Sequence, residues 1–178
     1  MNSPDTPSSS WTGNWSGSLK TYPLNVTGSG WNVAMEIGPY PTTDGECTIW
    51  RTTYSENGTL QALKAYRLCR GRGADDLYID EDNDVKIKAQ WINNALVSAF
   101  KYKGVILFTN MRMLGDILEE EMLTVDDKPA IEDAVQSMPA LSIHINTMRR
   151  VGTGTSGANK SGIRNILFYM FWMRTVIW

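Results

Sequence analysis

Glu120 is a lone carboxylate among Met111, Met113, Leu118 and Met122, all on one face of two adjoining alternating segments. Apolar surroundings disfavour the charged form, so its pKa is expected to rise. A carboxyl in that state can hydrogen-bond a ligand or act as a general acid or base. Trp91, Ser98, Phe100, Tyr102 and Thr109 extend the same face. Aromatic surface with a few polar anchors is what small-molecule sites present, and methionine adapts to irregular apolar ligands. For Trp91 and Phe100 plain core packing is the preferred reading, whereas the hydroxyls of Tyr102 and Thr109 need partners wherever they are buried. Were the face catalytic, Glu120 would move the proton and Tyr102 would donate a hydrogen bond. An isomerase, cyclase or lyase acting on a secondary metabolite would suit that arrangement. Glu119 is expected to point outward, opposite Arg112, as a surface ion pair of little energetic weight.

The other reactive side chains offer less. His144 is the chain's single histidine. Ile143 and Ile145 claim the inward face of its segment by alternation, which leaves His144 outside with Ser142 and Asn146. That placement argues against any Cys–His or Ser–His catalytic pair. One histidine and two cysteines are too few for a structural zinc site. Asp80-Glu81-Asp82-Asn83-Asp84 lacks the glycine and terminal glutamate of a calcium loop, having Val85 and Trp91 there instead, and reads as an acidic turn. Gly71-Arg72-Gly73 lacks the spacing of a phosphate loop and is a turn as well.

The elements that must position these residues are strands. Val85 to Trp91 alternates cleanly, with Lys86, Lys88 and Gln90 on the opposite face. A tight turn at Asn93-Asn94 sets Trp91 opposite Leu96, Ala89 opposite Ser98 and Ile87 opposite Phe100. Turns at Lys103-Gly104 and Gly115-Asp116 carry the same face into Val105, Leu107, Thr109, Met111 and Met113, then into Leu118, Glu120, Met122 and Thr124. A meander that keeps one apolar face through consecutive hairpins is a barrel wall. Strands are expected at about 11–21, 30–38, 46–55, 59–70, 76–80, 85–92, 95–102, 105–114, 117–125 and 141–150. Asp127 can cap a short helix with Pro129 in its first turn, running through Ile131, Ala134 and Val135 until Pro139. The fold class is therefore all-β: an up-and-down antiparallel β-barrel of about ten strands, with one short helix before the last strand.

Cys47 and Cys69 flank a hairpin turning at Asn57-Gly58 and fall within one residue of directly opposite each other. A loop of odd length would align them and set Trp50 against Tyr66. A cross-strand disulfide is then geometrically allowed, although two reduced thiols are the preferred reading for a cytosolic protein.

At 178 residues the chain suits one domain with a real core. A net charge of -2, a pI near 5.4 and scattered basic residues exclude an electrostatic case for nucleic acid. Residues 1–10 carry neither a basic region nor an apolar core, so they read as a disordered lead-in and not a signal peptide. The expected compartment is the cytoplasm, where the glycosylation patterns at Asn14, Asn25 and Asn57 mean nothing. The barrel is expected to fill 11–151, followed by a linker-like stretch from Gly152 to Asn159. Residues 163–178 are almost wholly apolar but short and charged for a bilayer span. They read either as a membrane-surface anchor or, preferably, as a tail added by imperfect gene-model prediction.

The opening of the first strand, Gly13-Asn14-Trp15-Ser16-Gly17, resembles the Gly-x-Trp-x-Gly start of the calycin superfamily, which includes lipocalins, fatty-acid-binding proteins and nitrobindins. Physically, Trp15 would plug a closed end while the glycines let the strand bend around it. The resemblance covers 11–151 and implies a barrel holding a small, largely apolar ligand; the expected occupant is an apolar or aromatic molecule, and no cofactor is expected. Two departures stand out: there is no room between Tyr22 and Gly30 for the helical lid of fatty-acid-binding proteins, and no arginine-x-tyrosine anchor ends the last strand. In nitrobindins a histidine near the barrel end binds haem iron. His144 invites that comparison, and a bulge or register slip turning it inward would be required.

Overall fold

The computed structural model describes residues 11–23 and 30–152; the lead-in 1–10 and the apolar tail lie outside that set. Ten strands follow in order: β1 (Gly13–Tyr22), β2 (Trp31–Ile37), β3 (Cys47–Glu56), β4 (Thr59–Arg70), β5 (Leu77–Asp80), β6 (Lys86–Ile92), β7 (Ala95–Tyr102), β8 (Val105–Leu114), β9 (Ile117–Asp126) and β10 (Ala140–Arg150). Each pairs antiparallel with its sequence neighbour, and β1 with β10 shuts the ring into a closed barrel. Closure leaves no unpaired edge to aggregate.

Hairpin register comes from turn chemistry. Asn57-Gly58, Asn93-Asn94 and Lys103-Gly104 all adopt positive φ, the backbone of the primed two-residue turns that match strand twist. Trp91 accordingly faces Leu96, Tyr102 faces Val105 and Met113 faces Leu118, as the alternation required. The β6–β7 ladder stops at Gln90–Val97, so the expected pairs Ala89–Ser98 and Ile87–Phe100 lie past its end.

Cys47 and Cys69 are directly opposed and joined by a disulfide, which overturns the preferred reading of two thiols. Trp50 does face Tyr66. The alignment comes from a bulge on β4, where Gln61 is the extra residue between Leu60 and Ala62 opposite the consecutive β3 residues Ser55 and Tyr54, and not from an odd loop.

The helix expected between Asp127 and Pro139 is absent. That segment is bends with one isolated bridge, Ile131 to Ser137, and its apolar residues Ile131 and Val135 stand 61% and 77% exposed. With no face buried against the barrel, a stretch this short gains nothing from helix formation. No helix among the described residues is long and apolar enough to cross a membrane.

One end of the barrel, where β1 begins, is closed by tryptophans. Trp11 packs edge-on against Trp91 at 4.8 Å and stacks on Trp50 at 6.5 Å. Beside them Trp15 donates its indole N–H to the Trp11 carbonyl at 2.9 Å, under the Arg150 guanidinium at 4.4 Å. Leu77, Leu118 and Met148 complete this base with no exposure at all. Gly17 is required here, because a Cβ would run into the Thr147 carbonyl of β10. The Gly-x-Trp-x-Gly stretch therefore does what its chemistry suggests: it lets β10 close over a buried indole.

Candidate functional site: a polar cluster inside the barrel

Above the tryptophan base the inward face changes character. Inward positions there keep part of their surface open: Tyr66 and Lys64 on β4, Ile79 on β5, Ser98 and Phe100 on β7, Glu120 and Met122 on β9. A filled barrel would bury them as it buries the base, so the interior is less tightly filled toward β4–β7. The short β6–β7 ladder lies on that side.

Polar groups converge in this space. Asn146 lies opposite Glu120 across the β9–β10 ladder, and its amide donates to Glu120 Oε2 at 2.7 Å and to the Tyr54 hydroxyl at 3.2 Å. Tyr54 is 3% exposed, and the Lys64 ammonium sits 5.7 Å from its ring centre. Burial holds the Lys64 ammonium below its usual range, while the carboxylates of Glu120 and Glu81 pull the other way. Burial pushes the Glu81 carboxyl up, against a hydrogen bond from Tyr66 and the Lys64 charge. Both phenols, Tyr54 and Tyr66, are raised chiefly by burial. His144 pairs its Nδ1 with the Thr21 hydroxyl at 3.2 Å. Burial, reinforced by the Lys64 charge, brings its pKa down to about 4 and leaves the imidazole neutral at pH 7.

His144 thus corrects the expected orientation. It is 4% exposed and inward, together with Ser142, Asn146 and Met148, while Ile143 and Ile145 face out. The reason is an apolar row on the outer wall: Phe108, Leu123, Ile143 and Tyr22 lie side by side on β8, β9, β10 and β1. Alternation of apolar residues in β10 therefore marks the outside. The β9–β10 register shifts between Ala140 and Ser142, just ahead of this regular stretch.

The sequence-derived site residues divide in three. Trp91 belongs to the tryptophan base. Ser98, Thr109, Met111, Met113, Glu120 and Met122 share one wall, where the Ser98 and Thr109 hydroxyls lie 2.5 Å apart. Phe100 and Tyr102 lie toward the far end on β7. Glu120 and Tyr102 are not brought together. Glu120 is opposite Met111, which is opposite Leu96, and Tyr102 is six residues further along that strand, roughly 20 Å at strand rise. The tyrosine that shares a hydrogen-bond chain with Glu120 is Tyr54. Glu119 and Arg112 form the surface ion pair, at 2.9 Å.

Lys64, Tyr54, Tyr66, Glu81 and Asn146 were missed by sequence reasoning. A signal existed: Trp50 opposite Tyr66 fixes both as inward, and period two then places Tyr54 and Lys64 inward as well. Among the described residues no cluster of three or more His, Cys, Asp or Glu side chains suits a metal ion. Buried polar atoms with no hydrogen-bond partner among the described residues include the inward Thr124 Oγ1, Ser142 Oγ and Asn146 Oδ1. No protein-family model, curated protein sequence or solved structure matches the chain.

Proposed function

We propose that the barrel is calycin-like and binds a small apolar or aromatic molecule in its interior. One observation carries the reading: inward side chains of β4, β5, β7 and β9 stay partly open inside a wall that is paired all the way round. The buried oxygens of Thr124, Ser142 and Asn146 support it further, since such atoms are paired in a finished interior and a polar substituent of a ligand would satisfy them. The Gly13-Asn14-Trp15-Ser16-Gly17 opening supports the calycin likeness by its position over the closed base. Titration with an environment-sensitive apolar dye tests this. The full chain and the chain ending at Val151 should both enhance its fluorescence and release it to small aromatic competitors. Dye binding by the full chain alone would assign the effect to the apolar tail and sink the proposal.

A second reading, haem ligation through His144, is favoured by that residue's inward turn beside Met122 and by burial that keeps its imidazole uncharged, the form that binds iron. Spectra of protein expressed with haem supplied decide it: a Soret band lost in His144→Ala is expected, and no band removes the reading. As to compartment, the Cys47–Cys69 bridge favours an oxidising environment over the cytosol. Thiol titration of natively sourced, unfolded protein should then find no free thiol, and two free thiols would contradict it.

A further inference from the structure

We propose that Lys64 captures a hydrophobic aldehyde inside the barrel as an imine, a step that rests on the interior being a ligand site. Lys64 lies on the inward face of β4 opposite Thr52, itself 6% exposed, and its amine reaches over the Tyr54 ring. An amine in such a setting is a better nucleophile toward carbonyl groups than a solvated one, because burial favours its neutral form. Lys88 and Lys101, by contrast, stand on the outer wall with their side chains largely in water.

The groups that surround Lys64 fit each stage. They are Tyr54 on β3, Glu81 just after β5, Glu120 on β9 and His144 on β10. The neutral amine forms a C–N bond to the aldehyde carbon, and the carbonyl π pair moves onto oxygen. Transfer of one nitrogen-bound proton to that oxygen gives a carbinolamine. The hydroxyl then takes a second proton, lent by the Glu120 carboxyl, and leaves as water while the nitrogen lone pair makes the C=N bond; the resulting iminium returns its N–H proton to the Glu120 carboxylate. Amine and aldehyde are consumed, imine and water are produced, and no oxidant or reductant enters. Glu120 is the carboxylate on the Asn146–Tyr54 chain and can carry the protons. Asn146 Oδ1, buried and without a hydrogen-bond partner among the described residues, is an acceptor for the carbinolamine O–H or the iminium N–H.

The test uses 2-naphthaldehyde, its alcohol 2-naphthalenemethanol and the full chain. Both compounds should displace the apolar dye. Cyanoborohydride should then fix the aldehyde on the peptide containing Lys64 before any other lysine, and Lys64→Arg and Lys64→Met should lose that adduct with the fold intact by circular dichroism. Displacement by both compounds with adducts spread over surface lysines, Lys64 among the last, overturns the imine and leaves the binding reading standing. Displacement by neither compound overturns both.

Discussion

His144 is where a single side chain should report on its surroundings. Its pKa of about 4 in the folded barrel lies below the ordinary value of about 6.5, so between these pH values the unfolded chain binds the extra proton. Stability is therefore fully present above the unfolded value and falls as pH drops toward 4. The depression corresponds to up to roughly 3 kcal/mol at 1.36 kcal/mol for each pH unit. Urea midpoints measured at pH 7.5 and pH 4.5 should diverge much more in the native chain than in His144→Gln; equal losses would place the histidine in water. That an imidazole sits inside was hidden in the sequence by Ile143 and Ile145. Their apolar character serves the outer row with Phe108, Leu123 and Tyr22, so periodicity gave the right strand and the wrong phase. Lys64 was hidden differently. A lysine in a strand ordinarily marks the solvent side, and only the Trp50–Tyr66 pairing reveals the opposite.

At the scale of elements, the β3–β4 hairpin is the most tightly specified piece of the wall. Its ends are tied by Cys47 and Cys69, separated by 22 residues, and closing a loop of that size constrains the unfolded chain by roughly 3 kcal/mol in the chain-entropy account. Reduction should lower the urea midpoint by that order, and the Cys47→Ser, Cys69→Ser double variant should show the lowered midpoint with or without reductant. An unchanged midpoint on full reduction would contradict the bridge. Strand positions were readable because Asn-Gly, Asn-Asn and Lys-Gly turns punctuate clean alternation. The bulge at Gln61 was not, since nothing local distinguishes an extra strand residue from an ordinary one. The segment from Asp127 to Pro139 carried good capping chemistry, yet capping cannot replace a surface to pack on, and the barrel offers it none.

For the whole molecule, closure of β1 onto β10 follows from a repeated inward face. That face is legible in the sequence from Val85 to Thr124. What the face encloses was not legible, because the difference between a filled and a hollow barrel lies in packing volumes contributed from all ten strands. The tryptophan base fills one end, and the polar cluster of Tyr54, Lys64, Glu120, His144 and Asn146 occupies the space above it. The central claim is that this interior space, and not the outer apolar row or the tail, receives the ligand. Filling it from within is the most direct test. Thr109→Trp places a large ring on the inward face opposite Met122, and its dye affinity should fall at least roughly tenfold, about 1.4 kcal/mol, with the fold intact by circular dichroism. Dye affinity unchanged in that variant, but lost in Phe108→Asp on the outer row, would contradict the account.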